Sequence, residues 1–158
     1  MYPKKYVPKN LSKKDKKKQK IMLKLSQKLY NKKKYYIREK VKSFKSKKSQ
    51  HIIKAEKVYN IKKIIPNKEL SKKTGCSITG LRKIVKKGQG AYYSSGSRPN
   101  QTAHSWGRAR LASAITGAKS SQIDYHILKK HCKKNSKALR LADRSKYKNK
   151  IRRVSKRN

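Results

Sequence analysis

Apolar residues in the first third of the chain recur at helical spacing. The stripe consists of Ile21, Leu25, Leu29, Ile37, Val41 and Phe44. Such spacing places the side chains on one side of a helix. The sequence therefore predicts a long basic helix with one apolar edge over residues 20–44, and a second helical run over 50–61.

A pair of short helices around a turn glycine is predicted next. Asn67 caps the first helix and Gly75 ends it. Ser77 caps the second helix, which is predicted to run to Lys87 with Gly88 after its last turn. This register matches a helix-turn-helix, whose second helix presents polar side chains to a DNA groove: Thr79, Arg82, Lys83 and Lys86. Two short core-packing helices produce the same pattern, and both interpretations stay open.

Residues 88–118 interrupt the lysine pattern, since they hold three arginines, no lysine and no acid. The pattern predicts a short extended piece at 91–93 and a glycine-serine turn at 94–100. A helix over 103–116 follows, capped by Asn100 or Thr102 and closed by Gly117. Trp106 lies on the apolar side of this helix and is expected in the core.

The C-terminal third predicts a linker at 119–121, a helix capped by Ser121 or Asp124 that runs to about His131, and a last helix from Ser136. The predicted fold class is mainly α. A small helical domain at 62–145 follows a basic tail at 1–20 and a basic helical arm at 20–61, and a basic tail at 146–158 ends the chain.

Charge is the dominant feature of the composition. The 158 residues carry 49 cations and six acids, for a net charge of +43. A chain of this charge needs a polyanion nearby, and the sequence predicts non-specific binding to the phosphate backbone of DNA. A membrane is a weaker candidate, because no stretch approaches the roughly 20 apolar residues of a spanning helix. The first ten residues also lack the apolar core of a secretory signal.

The two cysteines, Cys76 and Cys132, lie far apart and form no CxxC motif. Two unpaired thiols in a reducing compartment are the expectation. Zinc binding by these cysteines with His126 and His131 is not expected, because adjacent His131 and Cys132 do not have the usual finger spacing. No metal and no cofactor are predicted.

Catalysis is not predicted either. No carboxylate lies between Glu69 and Asp124, so a paired-acid site would need distant partners. The turn serines at 94, 95 and 97 could be paired with His104 as nucleophile and base, but no nucleophile-elbow motif accompanies them. The expectation is a non-enzymatic protein.

The remaining candidates for anion and base binding lie in residues 88–118. Arg98 precedes Pro99 in the turn and could line an anion site, although a bond from Arg98 to a helix end or to Asp124 is favoured. Tyr92 and Tyr93 could stack on bases, although at least one is expected in the core. Arg108 and Arg110, on the flanks of the predicted helix, are further candidates.

This stretch resembles a family of small uncharacterised domains encoded by giant DNA viruses and tailed phages. The resemblance covers about residues 70–128 and leaves the basic arms outside. Its markers are Gly88, Gly90, Ala91, Tyr92, Tyr93, Ser97, Arg98, Pro99, Trp106, Ala109, Arg110 and Asp124. The resemblance implies an origin in a large DNA virus.

Charge and resemblance together predict a structural protein of a virus particle. It would be a minor capsid or internal protein, located inside the virion, whose basic arms bind packaged DNA or cement capsid subunits. One alternative is a sequence-specific regulator that uses a helix-turn-helix at 67–88. Another is a ribosomal protein that binds rRNA.

Overall fold

The computed structural model describes the backbone of residues 2–154 and the side chains of residues 2–149. Over this span the chain forms helices and no strand, which confirms the mainly α class. The helices are α1 (Lys13–Asn31), α2 (Gln50–Tyr59), α3 (Lys68–Thr74), α4 (Ile78–Ser94), α5 (Ala103–Ile115), α6 (Lys119–Ile123), α7 (Tyr125–His131) and α8 (Lys137–Val154).

The described residues group into two compact units. The first unit joins the N-terminal residues up to Lys47 with Lys87–Gly107, and the second joins Lys48–Lys86 with the described residues from Arg108 onward. The sequence-based boundaries at 20, 61 and 145 divide the chain differently. The N-terminal lysine-rich stretch thus shares a compact unit with the loop at 94–100. Residues 155–158 of the predicted C-terminal tail lie outside the described residues.

The first unit contains α1, which differs from the predicted helix at both ends. It begins at Lys13 because the Ser12 hydroxyl accepts a hydrogen bond from the Asp15 N–H (3.1 Å). It ends at Asn31, and Lys33 takes a left-handed conformation with a φ of 58°. Residues 35–49 are not helical. They return a few apolar side chains to the helix, where Val41 packs with Leu11 and Met22.

The structure corrects the predicted end of α4. The helix does not end before Gly88 but continues through 91–93, predicted as extended, to Ser94. Each glycine inside the helix costs about 1 kcal/mol relative to alanine. Burial of the Tyr92 ring, only 2% exposed, offsets this because a buried aromatic side chain contributes about 1.5–3 kcal/mol.

The helix pair of the second unit is confirmed. The side chain of Asn67 accepts a hydrogen bond from the Leu70 N–H (2.8 Å), and Gly75 ends α3 with a φ of 75°. The Ser77 hydroxyl accepts from the Gly80 N–H at the start of α4 (3.1 Å). These helices cover a core that includes Leu70, Leu81, Ile84, Leu111, Ile115 and Leu128. The unit's core therefore lies beneath the predicted DNA-reading helix.

Predictions for the remaining helices are partly confirmed. Helices α2 and α5 lie where predicted. The hydroxyl of Thr102 caps α5, because it accepts a hydrogen bond from the Ser105 N–H (3.0 Å). The predicted linker at 119–121 is wrong, because these residues lie in α6. The Ser136 hydroxyl accepts from the Leu139 N–H, and α8 extends to Val154, into the predicted tail. In the described chain, no helix is long and apolar enough to cross a membrane.

The expectation of two unpaired thiols is wrong in this structure. Cys76 and Cys132 form a disulfide between the α3–α4 turn and the end of α7. Backbone hydrogen bonds flank it, from the Ser77 N–H to the His131 carbonyl (2.8 Å) and from the Lys133 N–H to the carbonyl of residue 75 (3.0 Å). Neither sulfur is a thiolate, the form that binds zinc.

Candidate nucleic-acid interface

The acids of the chain are mostly engaged by partners within it. Five of the six accept hydrogen bonds: Asp15 from Ser43, Glu39 from Lys18, Glu56 from Lys48, Asp124 from Arg110 and Asp143 from Tyr125. Six acids can neutralise at most six of the 49 cations. The surface is therefore strongly positive however the acids are paired, and it attracts polyanions.

Helix α4 presents the side chains expected of a recognition helix. Thr79, Arg82, Lys83 and Lys86 are all exposed, whereas Leu81 and Ile84 are buried. Spacings of three, four and seven residues place the exposed set on one side of a helix. The arrangement can place three positive charges and one hydroxyl along a single groove.

A chain of hydrogen bonds fixes Lys83 near the start of α4. The Lys83 ammonium lies 3.3 Å from Nε2 of His131, and Nδ1 of His131 lies 3.2 Å from the Ser77 hydroxyl. Burial, with the charges of Lys83 and Lys130, lowers the pKa of His131 below its ordinary value. A neutral imidazole then accepts from Lys83 through Nε2 and donates to Ser77 through Nδ1. The hydrogen bond to His131 thus positions the Lys83 ammonium on the exposed side of α4.

Arg110 has a role inside the fold. Its Nε and Nη2 donate to the two carboxylate oxygens of Asp124 (2.7 and 2.8 Å), and Asp124 is fully buried. This two-point pairing occupies the Nε–Nη2 edge of the guanidinium, one of its two bidentate edges. Arg110 thus holds Asp124, the role that the sequence allowed for Arg98. Arg108, two residues earlier, is exposed.

Arg38 is the buried cation that sequence reasoning missed. It is buried, and its Nη1 donates to the Ser26 hydroxyl (2.9 Å) and the Tyr92 carbonyl (3.0 Å). Its Nη2 donates to the Ser97 hydroxyl (2.8 Å), and its guanidinium carbon lies 3.6 Å from the Tyr92 ring centroid. Burial lowers the pKa of Arg38 below its ordinary value. A signal was present, because every other cation in residues 1–81 is a lysine.

The loop at 94–100 is fixed from both sides, with Arg98 exposed on it. Before Arg98, Gly96 has a φ of 97° and Ser97 binds Arg38. After it, the side chain of Asn100 accepts from the Val41 N–H (2.7 Å) and donates to the carbonyls of residues 41 and 44 (3.0 and 2.7 Å). Arg98 as an anion-binding residue stays a prediction, but its position on the loop is well defined.

The two adjacent tyrosines differ in what they can bind. The Tyr92 ring is buried beneath the Arg38 guanidinium, so its face is not open to a base. Tyr93 is half-buried and lies parallel to the ring of Tyr30, with centroids 6.2 Å apart. A Cβ on Gly90 would lie 3.3 Å from the Tyr30 hydroxyl, so this glycine makes room for Tyr30 beside α4.

The other marker residues contribute to packing. Trp106 is half-buried, not fully in the core as expected, and contacts Tyr6 edge-on with ring centroids 5.9 Å apart. Gly88 is buried within α4.

His104, the candidate base from the sequence, forms a hydrogen bond to Gln89 (3.1 Å).

Comparison with known proteins places the chain in a family. The model of a family described as "Family of unknown function (DUF5824)" matches residues 3–135. No curated protein and no solved structure matches. The matched span is wider than the resemblance over 70–128, and it includes the N-terminal basic residues that pack with the 94–100 loop. The chain therefore belongs to the DUF5824 family, whose domain includes its lysine-rich N-terminal stretch.

Proposed function

We propose that this protein is a non-enzymatic, DNA-binding structural component of a large DNA virus particle. Its lysines neutralise packaged DNA or contact capsid subunits on the inner face of the shell. The charge balance carries the proposal, since the 49 cations exceed the six acids by 43. A surface of this kind binds the phosphate backbone without needing a base-reading site.

The division of roles between the cations supports this proposal. Arg38 and Arg110 serve the fold, whereas the lysines of residues 32–34 and the exposed cations of α4 face outward. Lysine is a compact, flexible point charge suited to phosphates of any spacing. The association with a virus particle rests on the resemblance carried by residues 88–118.

Salt dependence tests the DNA-binding half of the proposal. The full chain is titrated with two duplexes of unrelated sequence at several salt concentrations. We expect equal affinities for the two, falling by roughly 10³- to 10⁵-fold between about 50 and 200 mM salt if 6–10 phosphates are contacted. No binding at low salt would contradict the proposal. Mass spectrometry of purified particles tests the location, and absence of the chain would refute the virion role alone.

The helix pair α3–α4 favours a second candidate, a sequence-specific regulator. It has the capped turn and the exposed side of α4 that such a reader requires. Selection from a random duplex library, at salt that abolishes binding to bulk DNA, tests it. A preferred site that is lost in Arg82→Ala but kept in Lys72→Ala, a control on the exposed surface of α3, would favour the regulator.

A further inference from the structure

Three tyrosines form a continuous aromatic surface in the first unit. Tyr30 on α1 lies parallel to Tyr93 on α4, with an angle of 8° between the rings. Tyr35 lies 5.0 Å from Tyr93 and 6.1 Å from Tyr30, tilted by 58° to each. We call Tyr30, Tyr35 and Tyr93 the tyrosine platform.

The platform is open to solvent at Tyr35. Tyr35 is 69% exposed and Ile37 is 80% exposed, although the same unit buries Tyr92. Among the residues whose side chains the structure describes, Tyr147, Ile21 and Ile123 are the other large apolar residues that are more than half exposed. Tyr35 and Ile37 lie within three residues of sequence, so this segment exposes two large apolar side chains close together in the chain.

Positive charge lies directly beside these apolar residues in the sequence. Residues 32–34 are three consecutive exposed lysines, and they lead from the end of α1 into Tyr35. Their backbone is held in place, since the N–H groups of Lys33 and Lys34 donate to the carbonyls of Tyr30 and Leu29 (2.9 Å each). The lysine turn thus holds a fixed position relative to Tyr30.

The platform is also rigid from beneath. The Tyr92 ring contacts Tyr93 edge-on, with centroids 5.0 Å apart and an angle of 89°, and the guanidinium carbon of the buried Arg38 lies 3.6 Å from the Tyr92 ring centroid. A platform ordered before binding loses little conformational entropy when a ligand stacks on it. The Arg38 network, in addition to holding the loop, therefore pre-forms this surface.

We propose that the tyrosine platform binds single-stranded nucleic acid. Unpaired bases stack on the exposed ring of Tyr35, which Tyr30 and Tyr93 hold in place, and the backbone phosphates lie on the lysines of residues 32–34. Every base has a face that stacks on an aromatic ring, so binding tolerates any sequence. A duplex hides those faces inside its own stack, so the platform distinguishes single strands from duplexes. The phosphate contacts rest on the polyanion-binding function proposed above, whereas the strand preference does not.

Fluorescence anisotropy of the full chain tests the proposal. The probes are a labelled oligothymidylate of about 20 nucleotides, long enough to cover the platform, and a blunt duplex of the same length. Tyr35→Ala removes the exposed ring. Tyr147→Ala is the matched control, because Tyr147 is 67% exposed on α8 in the other unit. Far-UV circular dichroism verifies that both variants fold.

We expect Tyr35→Ala to weaken oligothymidylate binding by about 5- to 150-fold, the loss for one stacked base. Duplex binding should stay unchanged, Tyr35→Phe should bind as wild type, and Tyr147→Ala should affect neither probe. Lys33→Gln should lower the salt dependence of binding by about one phosphate contact.

Other outcomes separate this proposal from the broader one. Duplex binding with no effect of Tyr35→Ala on the oligothymidylate overturns the platform and leaves polyanion binding intact; a platform that docks a capsid protein would give this result. An equal loss for both probes, or an equal effect of Tyr147→Ala, also overturns it. If neither the oligothymidylate nor the duplex binds, both proposals are overturned.

Discussion

Replacement of Arg38 by alanine tests the connection between the N-terminal stretch and the 94–100 loop. Its hydrogen-bond acceptors are two hydroxyls and one carbonyl, none of them charged. Loss of the guanidinium leaves the Tyr92 carbonyl without this hydrogen-bond donor, which costs about 1–3 kcal/mol. It also removes a desolvated cation–π contact worth about 2 kcal/mol. Because the change also relieves the burial of a charge, we expect a net loss of about 2–4 kcal/mol in the free energy of unfolding.

Urea unfolding followed by tryptophan fluorescence measures this effect. Trp106 is the only tryptophan and lies in the same unit, in edge contact with Tyr6. Arg38→Lys should be intermediate, because a compact ammonium cannot span the three acceptors. Arg98→Ala, an exposed arginine on the same loop, is the matched control and should stay within about 0.5 kcal/mol of wild type. An Arg38→Ala variant as stable as this control would refute the structural role of the guanidinium.

Three further predictions concern the glycine before the loop arginine, the disulfide and one carboxylate. Gly96→Ala should destabilise the first unit by about 1–3 kcal/mol in the same urea assay, because its φ is 97° and a Cβ would lie 2.7 Å from Leu23; Ser95→Ala, exposed nearby, should not. Reduction of the disulfide, which spans 56 residues, should cost about 4 kcal/mol by chain entropy, measured as lower thermal stability with dithiothreitol; an unchanged melting curve would contradict it. Hydrogen bonds from Ser43 lower the pKa of Asp15 in the folded state. The ionised carboxylate therefore stabilises the fold above the unfolded pKa of about 3.9, and this stabilisation is lost as pH falls below that value. The free energy of unfolding of Asp15→Asn should accordingly fall less steeply with acid than that of wild type.

Helix ends with local chemical signals could be predicted from the sequence. Asn67, Ser77 and Thr102 each cap a helix as predicted, because a side-chain oxygen that bonds a backbone N–H two or three residues later requires no distant partner. Gly75 and Gly117 end helices for the same local reason, since both take a positive φ. The mainly α class follows from such signals together with apolar spacing.

Contacts between distant residues could not be predicted in this way. The Arg38 hydrogen bonds to Tyr92 and Ser97 join residues 54 and 59 positions apart. The predicted end of α4 was wrong for a related reason. The glycines at 88 and 90 favour termination locally, whereas burial of Tyr92 against distant residues continues the helix to Ser94. The disulfide is missed for a similar reason, since a pairing across 56 residues leaves no trace in local spacing. The shared exposed side of Thr79, Arg82, Lys83 and Lys86 follows from helical spacing alone, whereas their contact with a DNA groove stays a prediction.

Arginines and lysines differ in where they lie in this structure and in what they contact. Arg38 and Arg110 use the planar fork of a guanidinium to bind several acceptors at fixed angles inside the fold. A lysine at either position could satisfy only part of that geometry. The lysines of residues 32–34, by contrast, are exposed, and each carries a compact ammonium on a flexible stem. Arg38, the one arginine among the lysines of residues 1–81, therefore marks a place where the chain folds back on itself, whereas the exposed Arg82 does not.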